Sequence, residues 1–247
     1  MKWDSTLYDN KHGFVAEYGK SLLQFVPQDP KQRILDIGCG TGTLTQELSK
    51  LCRYVLGTDS SAEMIERAKK QYPHLDFQVT DALALPWQGE WDVVFSNAVF
   101  HWIADHDLLL SNIRRALKPG GYLVCEFGAF GNISVIETAF SLIVEELGYP
   151  YRSKFNFTTV QQFGTLLEKN GFAIEQLYDY DRPTPLQDGS AGLENWARQF
   201  FAAELEAIPA RLHPELFERL QQMTSAKLWN GKEWVADYRR MRAVAYI

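Results

Sequence analysis

Residues 34–42 place a glycine-rich loop directly after a short apolar run, and this combination constrains the fold more than any other feature. The run ends beside Asp36, and a G-x-G-x-G loop occupies residues 38–42. Apolar residues then recur at helical spacing over 44–51. A strand, a glycine loop and a helix N-terminus together make a site for a nucleotide-like ligand, because glycines allow tight turns and close approach of the ligand.

The glycine loop departs from the dinucleotide-binding fingerprint. In G-x-G-x-x-G the third glycine comes one residue later than Gly42, and Thr43 occupies that position here. Asp36 beside the loop would repel a diphosphate, whereas it is a good neighbour for a cationic ligand. No Gly-Lys-Ser/Thr follows the loop, which excludes a P-loop.

Acidic residues also follow the second and third predicted strands. The apolar run 54–57 leads to Asp59, and the alternating run 75–79 leads to Asp81. The two oxygens of Asp59 are placed to bind two ribose hydroxyls. The three aspartates do not suit a metal site, because they come from separate strand ends and no histidine lies at ligand spacing.

Strands and helices alternate along the first half of the chain. Ser60 and Ser61 are placed to cap a helix, and a fourth strand is predicted at 91–96. A helix at 105–117 then precedes a fifth strand at 122–127. This alternation is typical of right-handed βαβ units, so we predict an α/β fold built on a parallel sheet.

The second half of the sequence is richer in helical patterns. Thr158 and Gln161 form a capping box at the start of one helix, whereas Pro183 and Pro185 exclude regular structure. The predicted elements of this half are helices at 133–147, 158–170, 193–205 and 216–228 and strands at 172–180 and 238–247.

These motifs, in this order, resemble those of the class I, Rossmann-like S-adenosylmethionine-dependent methyltransferases over residues 30–130, the cofactor-binding core. The resemblance implies a seven-stranded, mostly parallel sheet flanked by helices, within one methyltransferase domain spanning 1–247. Helical spacing predicts an N-terminal helix in 1–26, and the family topology makes 186–233 a helical cap inserted between strands six and seven. The implied cofactor, S-adenosylmethionine, carries a sulfonium and an ammonium, which suit carboxylates without a phosphate clamp.

The resemblance also implies a role for each motif residue. Asp36 and the glycine loop would line the methionine part of the cofactor, and Asp59 would take the ribose hydroxyls. Asp81 would accept a hydrogen bond from the adenine amino group. The residues that would bind the cofactor are Asp36, Gly38, Cys39, Gly40, Gly42, Asp59, Ser60, Met64, Asp81, Ala82 and Asn97.

A narrower resemblance, to the trans-aconitate methyltransferases, lies at residues 3–9, at 97–102 and in the predicted tail helices before 238–241. Those enzymes methylate a carboxylate of a small acid, which implies the same class of acceptor here. His101 follows the fourth strand, where the transferred methyl should point, and is the candidate catalytic residue, as a general base or as a hydrogen-bond donor. The predicted substrate-pocket residues are His12, His101, Trp102, Trp196 and Phe200.

Several alternatives remain open for the acceptor. The chain could methylate a nitrogen or carbon of another metabolite, catalyse a related cyclopropanation, or bind the cofactor without catalysis. A carboxylate acceptor is already ionised at neutral pH and needs no base, so positioning and exclusion of water would supply most of the rate. An arginine fork suits a carboxylate, but the sequence does not choose among Arg152, Arg182, Arg198 and Arg239.

Composition narrows the class of partner. The formal net charge is −6 and no basic block occurs, so we expect a small-molecule acceptor and no nucleic acid. The tight cluster Arg239, Arg240 and Arg242 is interpreted as a charged strand face. No apolar run reaches membrane-helix length and no signal pattern opens the sequence, so no membrane is expected. The 3 scattered cysteines favour neither disulfides nor a metal site and suggest a cytoplasmic protein; the oligomeric state is left open.

Overall fold

The computed structural model describes residues 19–247, in which strands and helices alternate up to residue 128. The strands are β1 (Arg33–Ile37), β2 (Tyr54–Asp59), β3 (Asp76–Val79), β4 (Trp91–Asn97), β5 (Leu117–Gly128), β6 (Ala173–Asp181), β7 (Thr184–Pro185), β8 (Val235–Ala236) and β9 (Arg239–Tyr246). The α-helices are α1 (Thr43–Leu48), α2 (Ala62–Gln71), α3 (His106–Ala116), α4 (Ser134–Glu146), α5 (Val160–Lys169), α6 (Gly192–Phe200), α7 (Ala202–Glu206) and α8 (His213–Leu228).

Seven of these strands form one sheet in the order β3-β2-β1-β4-β5-β9-β6. The pairs from β3 through to β5 are parallel. Gly120 donates its amide hydrogen to the Ile247 carbonyl, and Ile247 donates to Gly121. The end of β9 therefore lies beside the beginning of β5, as in an antiparallel pair. The predicted seven-stranded, mostly parallel sheet flanked by helices is confirmed.

The central strands are buried on both faces, which explains their nearly continuous apolar sequence. In β1, Leu35 and Ile37 join one core cluster, whereas Ile34 joins the cluster on the other face together with Leu22 and Phe95. Asp36 shares the face of Ile34, because successive side chains of a strand alternate. A carboxyl group is thus held at the edge of an apolar layer.

Three predicted boundaries were wrong, two of them in the second half of the chain and one at the start of β5. The capping box consists of Thr159 and Gln162, one residue later than predicted. The apolar stripe over 193–205 lies on two helices, α6 and α7, with Phe201 between them at φ −113° and ψ 26°. β5 also begins earlier than predicted, at Leu117, because this residue pairs with Trp91 of β4.

The prediction that Pro183 and Pro185 exclude regular structure was wrong for Pro185. Thr184 and Pro185 form β7, which pairs antiparallel with Val235 and Ala236 of β8. Proline lacks an amide hydrogen, and a short two-stranded ladder tolerates this where a central strand would not.

The described chain groups into two compact units. One comprises residues up to 129, 158–179 and 241–247, and the other comprises 130–157 and 180–240. The predicted cap, 186–233, lies within the second unit, in which α8 packs against α4. That 186–233 is a cap within a single domain stays a prediction.

Only part of the predicted N-terminal helix falls within the described residues. Residues Lys20–Phe25 form a 3-10 helix with Leu22 buried, and residues 1–18 of the predicted helix, including His12, lie outside the described residues. None of the helices within residues 19–247 is long and apolar enough to cross a membrane.

Candidate functional site

The glycine loop is held in left-handed backbone conformations that favour glycine. Gly38, Gly40 and Gly42 have φ values of 72°, 54° and 88°. A Cβ at Gly38 would lie 2.1 Å from Val99 Cγ2, and one at Gly42 would lie 2.7 Å from Phe77 Cζ. At Gly40, apart from the residue itself and its two chain neighbours, no heavy atom of the described residues lies within 4 Å of the Cβ position. Gly38 and Gly42 therefore serve packing, whereas Gly40 borders open space.

Backbone hydrogen bonds tie the loop to the end of β2. The amides of Gly38 and Cys39 both donate to the Thr58 carbonyl, at 2.7 and 2.9 Å. Gly40 donates its amide to Asp59 Oδ2 at 3.1 Å, and Ser61 donates to Asp59 Oδ1 at 2.9 Å. Both oxygens of Asp59 thus accept backbone amide hydrogens, and the Ser60 amide acts on the same carboxyl group; its contact with ribose hydroxyls stays a prediction. Burial raises its pKa, against the amides that lower it.

Asp36 is the deepest acidic group of the site. It is 2% exposed, and Thr45 Oγ1 of α1 lies 2.6 Å from its Oδ2. Burial raises the pKa of Asp36 to about 7; the nearby Asp59 adds to the rise and the Thr45 hydrogen bond opposes it. A carboxyl group with this pKa changes charge near neutrality, and a nearby cation would favour its ionised form.

The other predicted cofactor residues lie at or just after neighbouring strand ends. Ser61 is the residue that caps α2, since its hydroxyl accepts from the Met64 amide at 3.3 Å, and Met64 is buried. Ser60 precedes this cap and is exposed. Asp81 caps the short turn that contains the buried Ala82.

Asn97 ends β4 beside a strained residue. Ala98 follows with φ 61°, which is uncommon for a residue with a Cβ, and donates its amide to the Glu126 carbonyl at 2.7 Å. Gly19 lies close to the Asn97 side chain, since a Cβ added to Gly19 would be 2.9 Å from Asn97 Nδ2. Backbone strain of this kind is characteristic of functional sites.

His101 lies in a short 3-10 turn, Phe100–Trp102, after β4. It is 6% exposed, and its Nδ1 accepts from the Gly128 amide at 3.1 Å. In the neutral imidazole the other nitrogen, Nε2, therefore carries the hydrogen and is a donor. The Trp102 ring lies 5.1 Å away, centroid to centroid.

Trp196 and Phe200 belong to the second unit. Trp196 is 4% exposed and donates from Nε1 to the Tyr238 hydroxyl at 2.6 Å. The Phe200 ring lies 4.7 Å from it, and the buried Phe201 adds an edge contact. Trp196 is thus part of the core of this unit, whereas Phe200 is only partly buried, and the contact of either residue with an acceptor stays a prediction.

Two of the candidate arginines already hold carboxylates within the second unit. Arg198 forms an ion pair with Glu194 at 2.7 Å, and Arg239 pairs with Asp181 at 2.5 Å. Arg182 donates to the Tyr180 hydroxyl. These contacts favour structural roles for the three.

Sequence reasoning missed a buried ion pair between β5 and β9. Arg242 Nε donates to Glu126 Oε2 at 2.8 Å, and the two side chains are 8% and 1% exposed. Arg242 also donates to Ser21 Oγ at 3.0 Å. The cluster 239–242, interpreted from the sequence as a charged strand face, lies on β9, and Arg240 and Arg242 are buried there. The signal was Glu126 itself, a charge inside an apolar strand that needs a partner.

The described residues fit S-adenosylmethionine. Open space at Gly40 leaves room for a ligand against the loop, and Asp36 and Asp59 supply negative charge and hydroxyl acceptors. No cluster of metal-binding side chains occurs among residues 19–247. This donor set suits a cationic nucleoside better than a diphosphate.

Comparison with known proteins also indicates a methyltransferase. The methyltransferase domain family matches residues 35–125. A methyltransferase of Schizosaccharomyces pombe with uncharacterized activity is 30% identical over 260 residues, covering 99% of this chain and 97% of the relative. Trans-aconitate 2-methyltransferase of Deinococcus radiodurans is 34% identical over 132 residues, so the chain spans about half of its length (52% of this chain, 50% of the relative). The crystal structure of the Bacillus YcgJ protein has a TM-score of 0.65 at 16% identity, covering 95% of this chain and 98% of that one.

Proposed function

Since the chain belongs to the S-adenosylmethionine-dependent methyltransferases, we propose that it methylates a carboxylate oxygen of a small organic acid. The half-length similarity to trans-aconitate methyltransferases supports this class of acceptor. The negative net charge of −6, without a basic block, supports a small molecule over a nucleic acid.

In this proposal the residues around the glycine loop hold the cofactor. Asp59, whose oxygens also accept the Gly40 and Ser61 amides, accepts from the ribose hydroxyls. Asp36 faces the positive charge of the methionine part, and Gly40 provides the space. When bound, the cofactor supplies an activated methyl group on a sulfonium.

The observation that carries the proposal is the hydrogen bond from the Gly128 amide to His101 Nδ1. It leaves the proton of neutral His101 on Nε2, which makes this imidazole a donor rather than a base. A donor suits an acceptor that is already ionised, such as a carboxylate. An acceptor that must first lose a proton, as a phenol or an ammonium must, would need a base instead.

The reaction then needs little covalent help from the protein. The bound cofactor would supply its methyl group directly to the carboxylate oxygen, so the residues of the site would only have to hold the two reactants in line. His101 orients the acceptor, and a pocket that excludes water keeps the charges from being solvated. Positioning of this kind accounts for a site without a nucleophile.

Steady-state kinetics of substituted proteins test the acceptor site. In His101→Ala and Trp196→Ala we expect a higher acceptor KM or a lower kcat, with cofactor affinity changed by less than about tenfold, or 1.4 kcal/mol. His74, exposed and bonded to Gln46 at 2.8 Å, provides the matched histidine control, His74→Ala. Wild-type kinetics in both site variants would show that the acceptor binds elsewhere.

The alternative function is methyl transfer to a nitrogen or carbon of another metabolite. Turnover of amines or other metabolites to products methylated on nitrogen or carbon, with no turnover of any carboxylic acid, would favour it. Cofactor binding without turnover on any of these compounds would favour a protein without catalysis.

A further inference from the structure

Asp36 is a buried carboxyl group, and the titratable side chains that act on it among residues 19–247 are all acidic. It lies at the end of β1, 2% exposed, with the neutral Thr45 hydroxyl 2.6 Å away on α1. Its pairing neighbours on β2 and β4 are Gly57 and Phe95, which carry no charge. The titratable groups that act on it within the described chain are Asp59, at the end of β2, and the Cys39 thiol of the loop.

This environment favours the protonated form in the free protein. Burying an ionised carboxylate without a cation is costly, and the second carboxylate at Asp59 adds repulsion. A protonated Asp36 can donate its hydrogen to the Thr45 hydroxyl, so the short contact between them is satisfied in either charge state. The raised pKa of Asp36, about 7, agrees with this geometry.

The expected cofactor changes the balance because it brings positive charge. An ammonium or sulfonium beside a carboxyl group stabilises the ionised form by Coulomb attraction, and more strongly in a buried site than in water. A neutral acid offers it only a hydrogen bond. The free protein and the complex therefore favour opposite charge states of the same group.

We infer that the protein releases one proton from Asp36 to solvent when it binds S-adenosylmethionine, so that Asp36 becomes negatively charged only as the cofactor arrives. The step breaks the O–H bond of the carboxylic acid, leaves the electron pair on Asp36 and involves no redox change. In the free protein this arrangement avoids two neighbouring carboxylates without a cation. The inference rests on cofactor placement beside Asp36 and not on the identity of the acceptor.

Isothermal titration calorimetry measures the release directly. Binding of S-adenosylmethionine is titrated without acceptor, in buffers of different ionisation enthalpy, and the dependence of the observed enthalpy on the buffer gives the number of protons. With a free pKa of about 7, about 0.8 proton per site should leave at pH 6.5 and fewer than about 0.1 at pH 8.5. Protons exchanged by the amino group of the cofactor itself are removed by subtracting the result for Asp36→Asn.

Two variants make the measurement specific. Asp36→Asn keeps the size and a hydrogen-bonding group beside Thr45 but has no proton to release. Asp81→Asn removes a different carboxylate predicted to contact the cofactor, one that is exposed, and should keep the wild-type proton count even where the affinity falls. Equal proton counts in wild type and Asp36→Asn at pH 6.5 would overturn the inference.

If Asp36→Asn binds too weakly to titrate, infrared difference spectroscopy of the wild-type protein decides. Adding cofactor at pH 6.5 should remove one carboxylic-acid band and add a carboxylate band, and the change should vanish at pH 8.5. No loss of a carboxylic-acid band would overturn the inference. Because neither measurement uses an acceptor, failure of the proposed methyl transfer leaves both readouts intact.

Discussion

A single methyl group added at Gly40 should weaken cofactor binding more than it destabilises the fold. The Cβ of Gly40→Ala would meet no heavy atom of the described residues within 4 Å. The backbone there has φ 54°, so an alanine should lose folding stability only through the left-handed conformation. That conformation costs a residue with a Cβ roughly 1–2 kcal/mol of folding stability.

The cost in binding should be larger and specific to the site. If the open space belongs to the cofactor, the added methyl overlaps the ligand, and overpacking by one methyl costs about 1–3 kcal/mol. This corresponds to about a 5- to 150-fold loss of affinity for S-adenosylmethionine. Calorimetric titration measures the affinity, and urea unfolding measures the stability.

Two other glycines provide the controls. Gly89 has φ 63° and equally open surroundings, but it lies before β4, so Gly89→Ala should lose similar stability and keep its affinity. Gly38→Ala should unfold more easily than either, because its Cβ would lie 2.1 Å from Val99. If Gly40→Ala binds the cofactor as tightly as Gly89→Ala, the cofactor does not lie against the loop.

Three further predictions concern charges in the same unit. Asp59→Asn should weaken cofactor binding by about 1–3 kcal/mol, and calorimetry showing no change would contradict its ribose contact. Glu126→Gln should cost about 3–5 kcal/mol of unfolding free energy by leaving a buried guanidinium, and Glu126→Gln combined with Arg242→Met should recover part of it in urea unfolding. Burial lowers the pKa of His106, so the folded protein favours its neutral form; stability should be complete above pH ~6.5, the unfolded pKa, and fall below it. His106→Gln should flatten this acid decline, and an unchanged pH profile would refute the role of His106.

Most of the fold of the first half of the chain, which carries the predicted cofactor-binding residues, could be predicted because its sequence signals are local. Asp36, the glycine loop and Asp59 stand directly after apolar runs, and a strand that ends in a turn fixes where its next side chains lie. The roles within the loop could not be assigned from the sequence. Whether a glycine serves packing or a ligand depends on residues such as Val99 and Phe77, which are distant in the chain.

The missed features depend on partners far apart in sequence. Glu126 and Arg242 are 116 residues apart, so no local pattern joins them. Pro185 becomes a strand residue only because Val235 pairs with it. No proline or glycine in the sequence marks the break at Phe201. The break depends instead on packing, because this buried residue stacks on Phe140 of α4 with ring centroids 4.1 Å apart. Tertiary packing thus overrides the continuous apolar stripe.

The central claim is tested most directly by identifying the acceptor atom to which the methyl group is transferred. The protein is incubated with S-adenosylmethionine labelled in its methyl group and a panel of small di- and tricarboxylic acids, amines and phenols, and the labelled products are identified by mass spectrometry. The account predicts label in a methyl ester of one of the acids, which mild base hydrolyses to methanol and the parent acid. A base-stable label on nitrogen or carbon, with none on any acid, would contradict it.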